Sequence, residues 1–178
     1  FVSDLARECG VALIVGAFRY GEGDDYYNAL FYVEPDGTFH EDFYAKRHLV
    51  PFGEYVPMRD VIMTLVPPLA EMSALDNDVT PGDGTVLFDS AWGKIGSLIC
   101  FDSIYERLTL DSVRDGAEIL VLPTNDSWFT DSAAAYMHAA QARLRAIESG
   151  RWIVRAADTG ISAIIDPRGN SYEELAPL

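Results

Sequence analysis

One cysteine stands where a thiol can act as a nucleophile. The stretch Lys94-Ile-Gly-Ser-Leu-Ile-Cys100-Phe-Asp-Ser103 carries Cys100 to the end of an apolar run, then meets a polar turn and a new helical pattern. That order predicts a sulfur at the carboxyl end of a buried strand and just before a helix N-terminus. A helix N-terminus or a nearby cation favours thiolate. The backbone N–H groups of Phe101 and Asp102 then fall where they can bind an oxyanion on an attacked carbonyl. The pattern alone leaves two readings open, catalysis and inert burial. A nucleophilic cysteine also needs a base and a charge stabiliser. None of His40, His48 and His138 shows a pairing role with it in the sequence, which weakens a papain-like arrangement.

The elements around Cys100 read as α/β. Residues 1–9 carry Phe1, Val2, Leu5 and Cys9 at helical spacing with Gly10 as the stop, which places Cys9 on the apolar face. Val11 to Phe18 is an apolar run expected of a strand covered on both faces. Tyr27 to Val33 and Phe39 to Ala45 read as a hairpin across the turn Pro35-Asp36-Gly37. Residues 46–57 are irregular, with two prolines and a glycine limiting regular structure, and are rich in charge and aromatics. From Met58 to Met72 the chain is strongly apolar, readable as a core helix or as a lid or arm. Thr85 to Phe88 pairs with Lys94 to Ile99. A helix follows from Ile104 to Asp115, then a strand from Ile119 to Leu122, a parallel crossover unit. Thr124 to Asp131 is a polar, aromatic loop at that strand's carboxyl end, where open α/β sheets place ligands. Asp131 or Ser132 can cap a helix running to Ser149, with Tyr136, Ala140, Leu144 and Ile147 on one face and Arg143, Arg145 and Glu148 elsewhere, on a solvated or salt-bridged surface. Trp152 to Ala157 and Ile161 to Ile165 are the last expected strands.

Composition narrows the function classes. The 178 residues are read as a single domain, with 49% hydrophobic and 23% charged residues. Thirteen Lys and Arg stand against 28 Asp and Glu, a net charge of -15. That balance argues against nucleic acid as a partner and against charge-driven adsorption to anionic lipid. Two cysteines make no disulfide framework, and the three histidines share no ligand-like spacing, so neither a structural zinc nor another cofactor is expected. No apolar run approaches the roughly 20 residues that span a bilayer.

Two motifs carry a family resemblance. Tyr44-Ala-Lys46-Arg-His-Leu49 and Gly96-Ser-Leu-Ile-Cys100-Phe-Asp102 resemble the lysine and cysteine motifs of the nitrilase, or carbon–nitrogen hydrolase, superfamily. His48-Leu-Val-Pro-Phe-Gly-Glu54-Tyr-Val-Pro57 resembles the signature of the bacterial apolipoprotein N-acyltransferases within it. Asn125-Asp-Ser-Trp-Phe129, His138, residues 143–148, Arg151, Arg155 and Gly160-Ile-Ser162 fit the same family. The resemblance covers essentially the whole chain and implies a nitrilase-like α-β-β-α sandwich, incomplete at its N-terminus.

It also implies site roles. Cys100 becomes the nucleophile that takes an acyl chain from a phospholipid as a thioester. Lys46 stabilises the oxyanion, and Glu54 orients Lys46 or the incoming amine. Tyr44, His48, Phe101, Asp102, Asn125, Trp128 and Phe129 line or support the site. Phe101 and Asp102 stand where the acyltransferases usually have tyrosine and glutamate, and Asp158 where they often have asparagine. The implied acceptor is the N-terminal amine of a diacylglyceryl-cysteine apolipoprotein. The implied location is the extracytoplasmic side of a bacterial cell membrane, with Met58 to Met72 then a lid or arm at the membrane surface. The superfamily's general-base glutamate comes from a Pro-Glu motif, and no Pro-Glu dipeptide occurs in residues 1–178. The expectation is a fragment that begins after that glutamate, lacks flanking membrane helices and has no activity alone. Two alternatives remain open from the sequence: a soluble nitrilase-like amidase acting on a small amide, and a catalytically dead binding domain.

Overall fold

A computed structural model of the chain describes residues 1–59, 61, 78–129 and 132–175. Helix α1 (Val2–Cys9) ends on Gly10, whose left-handed φ of 64° closes the helix. Strands β1 (Leu13–Tyr20), β2 (Tyr26–Val33) and β3 (Phe39–Ala45) form an antiparallel three-stranded sheet in that order. A second sheet of six strands follows the chain in order: β4 (Leu87–Ser90), β5 (Gly93–Ser97), β6 (Ile119–Thr124), β7 (Trp152–Ala157), β8 (Ser162–Ile165) and β9 (Ser171–Leu175). The β5–β6 and β6–β7 pairs are parallel, crossed by helices α2 (Glu106–Arg114) and α3 (Ala134–Ser149).

Alternation along the strands divides the core into two layers. Leu98, Leu120, Leu122, Ile153, Ala163 and Ile165 pack against Leu108 of α2 and Ala142 and Ala146 of α3. Ile99, the next residue after Leu98, packs the other way, with Phe88, against Leu30, Tyr32 and Tyr44 of the smaller sheet. The sheets therefore face each other across a second core. Cys100 follows where these two layers end.

Several sequence expectations change. Cys9 is exposed, because α1 buries only Ala6 and the last turn faces outward. β1 is not covered on both faces: Gly16 to Tyr20 are exposed, and Phe18 and Tyr20 stack on Tyr26 of the neighbouring strand. A run of apolar residues does not say how many layers cover it. The helix expected from Ile104 starts at Glu106, preceded by a 3₁₀ turn over Cys100–Ile104. In α3 the buried face is Ala135, His138, Ala142, Arg145 and Ala146, while Tyr136, Leu144 and Ile147 are exposed. Small residues let this helix lie close to the sheet. Arg145 is buried because its guanidinium donates to the Ile104 carbonyl at 3.0 Å and pairs with Glu148 at 2.8 Å. The helix starts after Ala133, with Ser132 Oγ accepting from the Ala134 N–H at 3.3 Å; Asp131, the other expected cap, lies outside the described residues. Strand β9 was not expected. Residues 62–72 of the apolar stretch from Met58 also lie outside the described residues.

Candidate active site

Strand β3 delivers Lys46 one residue beyond its end, and the irregular loop after it folds around Glu54. The Glu54 carboxylate accepts from Lys46 Nζ at 2.6 Å and the Val50 N–H at 2.8 Å through Oε2, and from Asn28 Nδ2 at 2.9 Å through Oε1. Lys46 and Glu54 are both buried, 2% and 7% exposed. A buried ion pair persists when its remaining lone pairs are also satisfied, as the Asn28 and Val50 donors do here. The backbone of Lys46 is fixed as well, with its N–H on Asn28 O at 2.8 Å and its carbonyl accepting from Gly82 at 2.9 Å. A side chain at Gly82 would collide with the Ala45 carbonyl, so the turn at residues 81–84 needs glycine there.

Asp102 joins this segment to the cysteine. Its Oδ2 accepts from the Tyr44 hydroxyl at 2.8 Å and the Ile99 N–H at 3.0 Å, and its Oδ1 from the His48 N–H at 2.8 Å. Tyr44 and His48 stand two residues to either side of Lys46, so the segment that carries the lysine is tied on both sides to the turn that carries Cys100. Burial pushes the Asp102 carboxyl up, opposed by the His48, Ile99 and Tyr44 donors and the Lys46 charge. Burial and the adjacent Asp102 push the Tyr44 hydroxyl well above its ordinary range.

Cys100 itself has φ 47°, left-handed backbone that side-chain-bearing residues seldom adopt. Strain of this kind concentrates where a reactive side chain must be presented. Its sulfur lies 4.0 Å from the Asn125 carbonyl oxygen, in the loop after β6. The Asp102 N–H donates to Ile99 O at 2.9 Å, so of the two expected oxyanion donors only the Phe101 N–H is left for that role.

Beneath the turn lies a second polar group. Arg155 Nη2 donates to Asp126 Oδ2 at 2.6 Å, Asp126 Oδ1 meets His138 Nδ1 at 2.7 Å, and His138 Nε2 lies 3.1 Å from the Cys100 carbonyl. Burial would raise the Asp126 carboxyl, but the His138 hydrogen bond and the Arg155 charge hold it below the usual range. Burial lowers the Arg155 guanidinium, against the pull of Asp126. Donor atoms of Cys100, Asp126 and His138 lie within 4.8 Å of one another. They do not form an open metal site, because His138 Nδ1 and Asp126 Oδ1 already bond each other.

With this geometry in hand, comparison with known proteins is decisive for the family. Residues 1–176 match the family described as carbon-nitrogen hydrolase. The chain belongs to that family. It is 40% identical over 182 aligned residues to an apolipoprotein N-acyltransferase of Geobacter metallireducens, covering 99% of this chain and 33% of the relative. A second apolipoprotein N-acyltransferase, from Methylococcus capsulatus, is 38% identical over 97% of this chain and 33% of its own length. The chain thus spans about a third of the length of these curated relatives. Among solved structures, a carbon-nitrogen hydrolase of Helicobacter pylori superposes with a TM-score of 0.75 at 20% identity, over 98% of this chain and 61% of that one. An amidase from Nesterenkonia sp. gives 0.72 at 17% identity, over 99% and 61%. At such identities the structures speak for the fold, which is the mixed α/β carbon-nitrogen hydrolase fold.

Within this member of the carbon-nitrogen hydrolase family, Lys46 meets Glu54 directly, and Tyr44, His48 and Asp102 converge on one another. Phe101 packs edge-on to Tyr105, whose ring lies 3.8 Å from that of His48. Asn125 offers its backbone to the sulfur, while its side-chain oxygen accepts from the Ser127 N–H at 2.9 Å and shapes the loop. Phe129 sets its ring against His138, and Trp128 stands 62% exposed on the loop. Four polar participants had no role assigned from sequence: Asn28, Asp126, His138 and Arg155. His138, for which the sequence showed no pairing role, bonds Asp126 through Nδ1. Its separation from Asp126 and Cys100, 12 and 38 residues, gives no local pattern to read.

Proposed function

We propose that this chain is the catalytic part of a membrane-bound N-acyltransferase that moves an acyl chain from a phospholipid to the amino terminus of a diacylglyceryl-cysteine apolipoprotein. The observation that carries the reading is the coupling of a buried Lys46–Glu54 pair to the strained Cys100 turn through Asp102. Relatives named apolipoprotein N-acyltransferase, matched along nearly the whole chain, support the substrate class.

In this reading the Cys100 thiol loses its proton and the sulfur attacks the ester carbonyl of the phospholipid. Lys46 and the Phe101 N–H hold the oxyanion that forms. The carbon–oxygen bond to glycerol breaks, the leaving oxygen takes up a proton, and lysophospholipid departs with the acyl group left on sulfur. The amine of the acceptor then attacks the thioester. The carbon–sulfur bond breaks, an amide forms, and the proton lost by the amine restores the thiol. Glu54, held by three donors, keeps Lys46 Nζ aimed. The proton-transfer carboxylate is the one the family takes from its Pro-Glu motif. Tyr44, His48 and Asp102 set the position of Lys46, and Phe101, Asn125, Trp128 and Phe129 line or support the site. The site faces the extracytoplasmic side of a bacterial cell membrane in the full protein. Among the described residues no helix is long and apolar enough to cross a membrane.

The test is mass spectrometry of the full-length protein after incubation with phospholipid. An acyl adduct on Cys100 that disappears when a diacylglyceryl-cysteine peptide is added, with the peptide gaining the acyl group, supports the reading. Hydrolysis of a small amide with no adduct from phospholipid would replace it with an amidase. A chain that forms neither would be a binding domain.

A further inference from the structure

Arg155, Asp126 and His138 have no place in the proposed chemistry, yet they form a buried line that ends on the backbone of the nucleophile. They are 2%, 3% and 6% exposed. The Asp126 carboxylate is held on every side, by Arg155 Nη2 at 2.6 Å, His138 Nδ1 at 2.7 Å and the Thr124 hydroxyl at 3.2 Å. Gly160, at φ 113°, leaves room for it, since a side chain there would collide with Asp126 Oδ2. His138 Nδ1 faces the carboxylate, and Nε2 lies 3.1 Å from the Cys100 carbonyl, an oxygen that can only accept, so the donor in that contact is the Nε2–H. The Ser103 hydroxyl donates to the same carbonyl at 2.8 Å and lies 3.1 Å from Nε2.

We propose that Arg155, Asp126 and His138 are positioning residues that fix the Cys100 carbonyl through His138 Nε2–H and so hold the left-handed turn that presents the sulfur. Arg155 orients Asp126, Asp126 orients the imidazole, and the imidazole pins the peptide following Cys100. None of the three touches substrate. Without the pin, Cys100 relaxes toward ordinary backbone angles and its sulfur moves away from the attack position, while the thiol itself remains.

The inference rests on Cys100 being the nucleophile, and the experiment separates the two ideas. The intact chain is treated with iodoacetamide, and the labelling rates of Cys100 and Cys9 are followed separately by peptide mass mapping. Exposed Cys9 serves as the internal reference. His138→Asn keeps a donor toward Asp126 but is too short to reach the Cys100 carbonyl, whereas His138→Gln can place an amide N–H near Nε2. The Asn variant should label Cys100 about 10- to 100-fold more slowly than wild type with an unchanged circular dichroism spectrum, and the Gln variant should recover most of the rate. Asp126→Asn, which keeps the shape and removes the charge, provides a second reading and should slow Cys100 in the same direction. Wild-type rates in folded His138→Asn or Asp126→Asn, or a Gln variant no better than Asn, overturn the positioning role. A wild-type Cys100 that takes no label in the folded chain overturns the nucleophile reading instead.

Discussion

The Tyr44 hydroxyl donates to Asp102 Oδ2 at 2.8 Å across 58 residues of sequence, joining the end of β3 to the turn that carries Cys100. With the His48 N–H on the other oxygen of the same carboxylate, it brackets Lys46 between two fixed points. Asp102→Ala leaves the Tyr44 hydroxyl and the His48 and Ile99 N–H groups without their acceptor. Such buried losses cost on the order of 1–3 kcal/mol each and are not additive, so a total near 3 kcal/mol is expected. Tyr44→Phe removes one donor and should cost about 1–2 kcal/mol. Urea denaturation of both variants checks the order; a Tyr44→Phe loss equal to that of Asp102→Ala would contradict it.

The Lys46–Glu54 pair allows stability and activity to be separated. Removing either partner leaves a buried charge alone, and Lys46→Ala or Glu54→Ala should cost about 3–5 kcal/mol. Lys46→Arg keeps a charge for Glu54 but replaces a compact ammonium with a broad planar guanidinium. It should regain much of the lost stability while acyl transfer by the full-length protein stays down by about 10²–10³, the usual loss for one oxyanion donor. Arginine restoring transfer to wild-type rates would remove the oxyanion role from Lys46.

The described residues on either side of residues 62–77 are tied together. Arg59 pairs with Asp78, which also accepts from the Val56 N–H at 3.0 Å, while the next residue, Val79, donates to the carbonyl of Glu54 at 2.8 Å. This clasp lies against the loop that carries Glu54. The Arg59 hydrogen bond is the main reason the Asp78 carboxyl is held below its usual range, helped by the Val56 N–H and opposed by burial. The pair is about a third exposed, so Arg59→Ala should cost under about 1 kcal/mol of global stability. Its larger effect should be local: faster hydrogen exchange at the Val79 and Glu54 amides. Unchanged exchange there would show that the clasp does not brace Glu54.

Acid should reach the Asp126 network in a defined direction. A carboxyl held low in the folded state adds stability that is complete above the unfolded value of about 3.9 and is lost as pH falls through the folded value. Asp102 works oppositely: raised by burial, it gives back stability as pH falls through its folded value. Comparing urea midpoints from pH 7 to about pH 2, Asp126→Asn should lower stability at neutral pH and flatten the decline that wild type shows as pH falls below the unfolded carboxyl value of about 3.9. Parallel curves would mean that Asp126 is not the group being titrated.

Much of the fold and part of the site were legible in the chain. Lys46, Glu54, Cys100 and Asp102 lie in short contiguous motifs, where residue type and spacing carry the signal. The hairpin of β2 and β3 and the β5–α2–β6 crossover follow from periodicity and turn residues. His138 and Arg155 were visible as parts of a motif but not as partners, because their pairing with Asp126 exists only after α3 packs on β6 and β7. The exposed side of β1 and the small-residue face of α3 were misread for one reason: hydrophobicity alone does not tell which apolar residues find a neighbour. Ala142 and Ala146 are fully buried, while Leu144 and Ile147 are not.

The last prediction concerns proton transfer. Glu54 is the carboxylate bonded to Lys46, and its oxygens already accept from Lys46, Val50 and Asn28. Taking the thiol proton would neutralise Glu54 and leave the buried ammonium of Lys46 unbalanced. Glu54 is therefore suited to orienting Lys46 rather than to acting as the base. No Pro-Glu dipeptide is present in residues 1–178 to supply another. The 178-residue chain by itself should then show no turnover with phospholipid and a diacylglyceryl-cysteine peptide, while Cys100 remains open to iodoacetamide. A longer chain that includes a Pro-Glu segment should turn over, and changing that glutamate to glutamine should abolish the gain. Multiple turnovers by the 178-residue chain would instead identify Glu54, or another group within it, as a sufficient base.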